Sequence, residues 1–323
     1  HNGRRRQRQM CIRDRLRYNQ TGDNNVAIGV DALEDNIASN NIAVGHNSLK
    51  ENTTGTQNVA VGTNALDANT TANSNVAMGY NTLGANTTGD QQTAVGTYAL
   101  QANTTGLQNS AFGSTALYSN TTANNNTAVG YAALYANTTG HSNVAVGAIA
   151  LDANTTGERN TALGYAALTD NSTGDKNTAV GMSALENNTT ADNNTAVGNN
   201  CMVSNTTGTE NVAVGAEALD SNTTANYNTA IGYAAGKNNT SGGPWTFVGY
   251  QAGYNKGNGG SGEGTAVGYQ ALYASGGPLR NTAVGYQALY STTNYGDNNT
   301  GVGYKALYAL SLIHISEPTR QSL

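Results

Sequence analysis

Hydrophobic and polar positions follow one another in a unit of 17 residues, N-(T/V)-A-V-G-Y-x-A-L-x-x-N-T-T-(G/A)-x-x, which recurs from Asn24 to Tyr308. From Gly45 to Gly249 every step is 17 residues. A unit this short cannot bury its apolar face alone, so each must stack on its neighbours. The pattern predicts a β-solenoid, a parallel β-roll or β-helix of about seventeen turns, counted on Gly29, Gly45, Gly62, Gly79, Gly96, Gly113, Gly130, Gly147, Gly164, Gly181, Gly198, Gly215, Gly232, Gly249, Gly268, Gly285 and Gly303.

The residues that precede the glycine predict a short strand. In Thr127–Gly130 and Val59–Gly62 a β-branched residue alternates with a small one, which places the β-branched side chains on one face and Ala and Gly on the other. Because the strands recur at a fixed offset, we expect them to pair in parallel and in register.

An Ala-Leu pair forms the second apolar run of each unit, as in Ala65-Leu66 and Ala133-Leu134. Ala and Leu favour helix and lack β-branching, so we expect one short helical or 3₁₀ turn per repeat in preference to a second strand. The Leu row and the Val row are expected to face each other as a narrow core.

Asparagine marks two corners of every unit. Asn tolerates turn geometry and bonds nearby backbone, and stacked copies can bond each other's amides along the axis. The N-T-T triplets also match the glycosylation acceptor pattern, but a corner that repeats for stacking explains them without glycans. We predict a structural ladder that includes Asn69, Asn86, Asn103, Asn120, Asn137 and Asn154.

Both ends of the chain break the pattern. Met10–Arg15 and Leu310–Ile315 can be encoded by inverted copies of one nucleotide string, as a translated sequencing adapter would be. We therefore expect residues 1–15 and 310–323 to be adapter-derived and not native, and residues 16–309 to form the solenoid, with irregular coils at 236–264. The alternative is a basic N-terminal arm around Arg4-Arg5-Arg6.

Excluding those ends changes the charge. They hold seven of the 15 Lys and Arg and two of the 20 Asp and Glu, which leaves 8 against 18 and a net charge of −10. An acidic segment disfavours nucleic acid as a partner. Cys201 remains as a single cysteine, so no disulfide within the chain is expected. No apolar run reaches the ~20 residues of a membrane helix, and any membrane anchor is expected to lie outside this fragment.

The regular pattern argues against catalysis, because a catalytic site needs an irregular constellation of residues. His46 and His141 occupy different positions in their units, and neither has a nucleophile or carboxylate at a catalytic spacing. Cys201-Met202 replaces Ala-Leu and is expected to fill the core. No unit position holds a regular Asp for calcium. We expect no catalytic residue, no cofactor, no metal and no enzyme activity.

A binding loop is the candidate site where the pattern bends. The step from Gly249 to Gly268 lengthens to 19 residues, and Trp245, Tyr250 and Tyr254 flank the added glycine-rich loop. The loop could contact a ligand through these rings, or it is a tolerated insertion. Tyr also follows the repeat glycine in a partial row that could line a carbohydrate groove, pack between subunits or cover the adjacent turn: Tyr80, Tyr131, Tyr165, Tyr233, Tyr250, Tyr269, Tyr286 and Tyr304.

The repeats carry a family resemblance. The motifs Asn143–Gly147 and Asn228–Gly232 resemble the head repeats of trimeric autotransporter adhesins of the YadA type, and Asn281–Tyr290 is still more similar to repeats of phage tail-fibre and related surface proteins. The resemblance covers nearly all of Asn24–Tyr308. Adhesin head repeats are shorter and lack the Ala-Leu pair and the N-T-T corner.

The resemblance implies a structural shaft or head of an extracellular fibre or adhesin, at the cell surface (outer membrane) or on a virion tail. It implies a homotrimer that presents or spaces a part that binds a host-cell receptor, surface receptor or glycan. The alternative is a solenoid that binds carbohydrate along the Tyr row or ice along stacked threonines such as Thr104-Thr105 and Thr138-Thr139.

Overall fold

The computed structural model describes residues 16–256, 262–275, 280–292 and 298–310. The chain is a parallel β-solenoid of about 16 turns at a spacing of about 17 residues, as the repeat predicts. It divides into two compact units between Lys176 and Asn177. The predicted adapter segments lie outside the described residues, except that Leu310 forms a strand with Ala309.

The first unit contains nine strands of three residues each. They are β1 (Val26–Ile28), β2 (Ile42–Val44), β3 (Val59–Val61), β4 (Val76–Met78), β5 (Thr93–Val95), β6 (Ser110–Phe112), β7 (Thr127–Val129), β8 (Val144–Val146) and β9 (Thr161–Leu163).

In the second unit the described residues form eight strands equivalent to those of the first unit and four short ones. The strands are β10 (Thr178–Val180), β11 (Thr195–Val197), β12 (Val212–Val214), β13 (Thr229–Ile231), β14 (Trp245–Val248), β15 (Asn255–Lys256), β16 (Gly264–Val267), β17 (Ala274–Ser275), β18 (Thr282–Val284), β19 (Ser291–Thr292), β20 (Thr300–Val302) and β21 (Ala309–Leu310).

Successive strands pair in parallel, with equivalent residues opposite each other. Ala60 of β3 lies opposite Ala77 of β4, and Val59 lies opposite Val76. The same register holds from β1 to β9 in the first unit and along β10 to β14, β16, β18 and β20 in the second. The predicted parallel, in-register sheet is confirmed, because a fixed repeat length brings identical residues together.

The core differs from the expected one. The central Ala of the strand points inward, as Ala60 does, while its neighbours Val59 and Val61 are half-buried and point outward. Ala65 and Leu66 are fully buried. The expectation that the Val row faces the Leu row was therefore wrong, and the Ala face is not open to another chain. The interior of one coil is narrow, and Leu side chains fill it only where small Ala residues line the strand.

The Ala-Leu run is a turn and not a helix, and no helix occurs among the described residues. Leu66 has φ of 52°, its N–H donates to Thr82 O in the next coil (3.1 Å), and its carbonyl accepts from Asn69 N (3.2 Å). A left-handed backbone at a Leu is costly, so it persists where the surroundings fix it. Bonds between coils override the helical preference of Ala and Leu in each repeat, and the predicted helical turn is wrong.

The repeat glycine allows the coils to approach closely. Gly62 has φ of +139°, a conformation that residues with a Cβ rarely adopt. A Cβ placed there would lie 2.2 Å from Gly79 O of the following coil. Glycine at this position therefore serves both the turn after the strand and the stacking of backbones.

The irregular coils are explained by one large side chain. Phe247 occupies the strand position that holds Ala in the neighbouring strands, and it is fully buried. Gly236 and Gly253 occupy the Leu position, and Cβ atoms on them would lie 2.5 and 2.1 Å from the Phe247 ring. The ring thus fills the volume that two Leu side chains fill elsewhere.

The last coils use a second row of strands in place of the asparagine corner. Here β15, β17, β19 and β21 pair in parallel, with Asn255 opposite Ala274 and Ser275 opposite Thr292. The loop residues 257–261 lie outside the described residues. In the last coils of the second unit, backbone hydrogen bonds between short strands therefore replace the side-chain hydrogen bonds of the asparagine corner.

The exchange of volume around Phe247 is testable. Phe247→Ala should destabilise its coil by about 3–5 kcal/mol, since it leaves a cavity, and Gly253→Leu should destabilise it through overlap with the ring. The triple variant Phe247→Ala, Gly236→Leu, Gly253→Leu restores the common repeat and should recover most of the stability. Leu fits this backbone, because Leu219 and Leu272 in the same row have φ of 49° and 52°.

Urea unfolding followed by the fluorescence of Trp245, the single tryptophan of the chain, measures the stability of this coil. A triple variant no more stable than Phe247→Ala alone would show that the glycines do not compensate for the ring.

Candidate functional site

The predicted asparagine ladder lies in the interior. Asn103 is fully buried, and its Nδ2 donates to Asn86 Oδ1 in the preceding coil (2.8 Å) and to Gly106 O in its own corner (3.2 Å). The same bond between coils, 2.6–3.2 Å long, joins the row Asn36, Asn52, Asn69, Asn86, Asn103, Asn120, Asn137, Asn154 and Asn171 of the first unit.

A second buried row of side-chain amides stands before the strands β2 to β9, and these amides bond the backbone. Asn58 Oδ1 accepts from the N–H of Asn75 in the next coil (3.0 Å), and Asn58 Nδ2 donates to Ala72 O (2.8 Å). The same carbonyl accepts from Asn69 Nδ2 of the first row (3.2 Å). Gln92 takes one place in this row and keeps both roles, donating to Gly106 O and accepting from Asn109 N. The carbonyls of Ala72 and Gly106 thus each accept from both rows.

The ladders bear on glycosylation. The Asn of each N-T-T triplet described in the first unit, such as Asn69 or Asn120, is fully buried, and its Nδ2 is engaged in two hydrogen bonds. A glycan is attached at this nitrogen, so these triplets are inaccessible to it in the folded chain.

The three aromatic residues proposed for a ligand-contact loop do not come together. Trp245 is 1% exposed and stacks on Phe247, with ring centroids 5.5 Å apart. Tyr250 and Tyr254 lie in two different rows of rings on the surface. Trp245 takes the place of a corner Asn, and its backbone N–H still donates to Asn228 Oδ1 of the preceding coil (3.0 Å). Burial of its ring removes it from any surface site.

Two tyrosine rows run along the second unit. The first follows the repeat glycine, and its rings stack from Tyr233 to Tyr304 with centroids 5.1–5.4 Å apart. The second, four residues further along each coil, stacks from Tyr254 to Tyr308 at 5.0–5.1 Å. The residues of the first row are Tyr233, Tyr250, Tyr269, Tyr286 and Tyr304, and those of the second are Tyr254, Tyr273, Tyr290 and Tyr308.

Between these rows lies a glutamine row. Gln270 Nε2 donates to Gln251 Oε1 (2.9 Å), and Gln287 Nε2 donates to Gln270 Oε1 (2.9 Å). Lys305 occupies the same position in the last coil. Its Nζ lies 5.6 Å from the ring centroid of Tyr304 and 5.2 Å from that of Tyr308, so the side chain at this position lies close to both tyrosine rows. Sequence reasoning missed the second row and the glutamines, although the spacing Y-Q-x-x-Y in the last coils signals them.

The stacking limits what the tyrosine rows can bind. Tyr269 has a neighbouring ring on each side, at Tyr250 and Tyr286. Sugars pack on the open face of an aromatic ring, and here the faces of the inner rings are turned to each other. The ring edges and hydroxyls remain for contact with solvent.

An apolar stripe lies on the outside of the strands. The sequence analysis placed its Val residues in the core, facing the Leu row. Because the central Ala points inward, the first and third residues of each strand point outward. In the first unit these positions hold Val, Ile, Thr, Ser, Met, Leu or Phe and no charged residue. Phe112, Val129 and Val146 are 42%, 37% and 37% exposed. We call this surface of β1–β9 the outer strand stripe.

The threonine pairs are not equivalent. Thr104 Oγ1 donates to Thr121 O of the next coil (3.1 Å), and Thr138 Oγ1 donates to Thr155 O (3.0 Å), so the first hydroxyl of each pair serves the solenoid. The second threonine, such as Thr105 or Thr139, is exposed. The threonine pairs therefore present one exposed row of threonines to solvent, and not the two rows that the sequence suggests.

The two residue types with potential chemistry, Cys201 and His141, lie in different compact units of the chain. Cys201 is fully buried, its Sγ lies 3.3 Å from Ala213 O, and burial raises the pKa of its thiol to about 12. His141 Nδ1 lies 2.9 Å from Glu158 Oε1 at the surface. A thiol with that pKa is protonated at neutral pH and is a poor nucleophile.

Charged groups cluster at one place in the second unit. Lys237 Nζ contacts Glu217 Oε2 (2.6 Å) and Asp220 Oδ2 (3.8 Å), and Tyr233 OH donates to Glu217 Oε2 at 3.5 Å. Partial burial raises the pKa of the Asp220 carboxyl. The same cause raises the pKa of Asp67 and Asp152, which occupy the equivalent position in other coils. These shifts follow from burial at a repeated position.

The described residues contain no group of three or more His, Cys, Asp or Glu residues placed to hold a metal ion. Within the same ranges no helix is long and apolar enough to cross a membrane.

A comparison with models of protein families finds no family that matches this chain, and a comparison with curated protein sequences finds no match either.

The ladder makes a quantitative prediction at Asn103. Asn103→Asp preserves shape but replaces the donor by a carboxylate oxygen facing Asn86 Oδ1 and Gly106 O. At neutral pH the buried, unmatched charge should cost about 3–5 kcal/mol. The carboxyl pKa should be raised in the folded state, so the loss should grow as pH rises through that value and shrink toward about pH 4, where a protonated carboxyl can donate.

Urea unfolding followed by circular dichroism at both pH values provides the measurement. Asn125→Asp is the matched control, because Asn125 is exposed, and it should change stability by less than about 0.5 kcal/mol. Equal effects of the two substitutions would contradict the role assigned to the ladder.

Proposed function

We propose that this chain is a structural shaft or head segment of an extracellular fibre or adhesin, which spaces or presents a receptor-binding part. The observation that carries the proposal is that the recurring polar side chains of the repeat form hydrogen bonds within the solenoid itself. The asparagine corners and the first threonine of each pair bond neighbouring coils, and the strand Ala and turn Leu fill the core. A repeat whose polar side chains stabilise the stacking of coils is suited to a structural role, in which the solenoid keeps a fixed length and a regular surface.

We also propose that the chain associates with copies of itself through the outer strand stripe. In the first unit nine strands at about 4.8 Å, each three residues wide, give a stripe of roughly 400 Å². Exposed apolar patches of about this size are often functional on soluble proteins. The stripe is uncharged and its rungs are evenly spaced, so two copies offer matching rows of Val and Thr.

The homotrimer comes from the resemblance to trimeric adhesin and tail-fibre repeats, and the outer strand stripe supplies a surface for it. The Ala face of the strands is buried within one chain, so it offers no surface to another. The placement at a cell surface or virion tail, and a receptor or glycan as the final partner, belong to the same proposal.

The alternative, a solenoid that binds carbohydrate or ice, has less support. Neighbouring rings cover the faces of the inner tyrosines, such as Tyr269. Half of the corner threonine hydroxyls bond the next coil, as Thr104 does. Neither feature presents the open ring faces or the wide threonine array that these ligands need.

The proposed self-association is tested by measuring the mass of the chain in solution. Light scattering of the chain over a dilution series should give the mass of three chains. Val129→Lys combined with Val146→Lys places two charges on the outer strand stripe, and the mass should fall threefold while circular dichroism stays unchanged, because both side chains already reach solvent in one chain.

Thr122→Lys combined with Thr139→Lys adds the same charge at exposed corner positions and should leave the trimer intact. A parent chain that is monomeric at every concentration would overturn the proposed association, and dissociation by both pairs would show that charge and not the stripe is responsible.

A further inference from the structure

The tyrosine rows of the second unit hold phenol rings in an arrangement that the shaft does not require. Tyr250, Tyr269 and Tyr286 stack with centroids 5.1 Å apart and planes within 7° of each other. Tyr254, Tyr273 and Tyr290 stack at 5.0–5.1 Å and within 6°. Each row therefore places one phenol of every coil directly beside the phenol of the next.

These rings are also open to reagents. Tyr250, Tyr269 and Tyr286 are 43%, 42% and 44% exposed. Since neighbouring rings cover their faces, the exposed part is the ring edge, which carries the hydroxyl and the carbon atoms ortho to it.

We propose that the two rows are sites of oxidative cross-linking, in which a one-electron oxidant of the haem peroxidase and hydrogen peroxide class joins tyrosines of successive coils as dityrosine. The pairs are Tyr250 with Tyr269 and Tyr269 with Tyr286 in the first row, and Tyr254 with Tyr273 and Tyr273 with Tyr290 in the second.

The reaction balances as follows for one pair. Each phenol loses one electron and one proton and becomes a phenoxyl radical, whose unpaired electron is shared with the ortho carbons. One C–C bond forms between an ortho carbon of each ring. The hydrogen on each coupled carbon leaves as a proton while a proton returns to each oxygen, which restores both aromatic rings. Two tyrosines and one hydrogen peroxide thus give one dityrosine and two water molecules.

Stacking favours coupling within the row. A phenoxyl radical at Tyr269 has its reaction partner held by the fold, so coupling needs no encounter between chains. Tyr131 and Tyr165 of the first unit are more exposed, at 63% and 57%, but among the described residues neither stacks on another ring. They provide an internal control for exposure without stacking.

Cross-links of this kind would fasten coils together where the asparagine corner gives way to the second row of strands. Ser275 and Thr292 stand in the ladder position there, and neither can supply the amide bond between coils. The proposal is independent of the fibre or adhesin function, since it concerns bonds within one chain.

The experiment oxidises the full chain at low concentration with horseradish peroxidase and hydrogen peroxide, and then digests it with trypsin. Cleavage after Lys256, Arg280 and Lys305 separates the rows into the peptides 238–256, 257–280 and 281–305. We expect mass spectrometry to find the first joined to the second and the second joined to the third, with dityrosine fluorescence. The denatured chain should keep the mass of a single chain.

The variant Tyr269→Phe, Tyr273→Phe keeps both rows stacked but removes the phenols of the middle peptide, and it should abolish both joined species. Tyr131→Phe, Tyr165→Phe should leave them unchanged. The proposal is overturned if dityrosine is absent, if it forms only between chains, or if Tyr131 and Tyr165 couple as readily as the stacked rows.

Discussion

In the first unit the side-chain amides of the asparagine row from Asn36 to Asn171 bond one another from coil to coil, and the other features of the coil depend on that pairing. Asn103 bonds Asn86 along the axis and Gly106 within its own corner, so a single side chain fixes both the stacking distance and the turn. A buried amide without partners is costly, which makes the ladder specific as well as stabilising. The left-handed Leu66 and the close approach at Gly62 follow from the spacing that the ladder and the sheet set together.

An interior fixed in this way leaves the outside free to vary. The outer strand stripe changes among Val, Thr, Ser and Phe without changing the register, and Tyr rows appear only where successive coils carry them. Functions that need an irregular pocket find little support on such a surface, while association with copies and reactions between stacked neighbours are favoured by repetition. The proposed shaft and the proposed cross-linking both rest on this one spacing.

Much of this fold could be predicted, because the repeat length alone determines which residues pair. The strand at Val59–Val61 and the asparagine rows followed from residue types that recur at one offset. The turn at Leu66 could not be predicted from local preference, since its N–H bonds the next coil and not its own. The burial of Trp245 likewise depends on its stacking against Phe247, and the role of Gly236 on a ring eleven residues away in the chain. The outward direction of Val61 required knowing that Ala60 and Leu66 share the core.

Hydrogen exchange of the asparagine side-chain amides, followed by NMR, tests the central role of the ladder most directly. Asn86, Asn103 and Asn120 should exchange their Nδ2 protons orders of magnitude more slowly than the exposed Asn125, because exchange requires the coil to open. Rates should be similar along the row, since every rung makes the same bonds. Exchange of the ladder amides at the rate of Asn125 would contradict the account, for it would mean that these side chains are open to water while the solenoid remains folded.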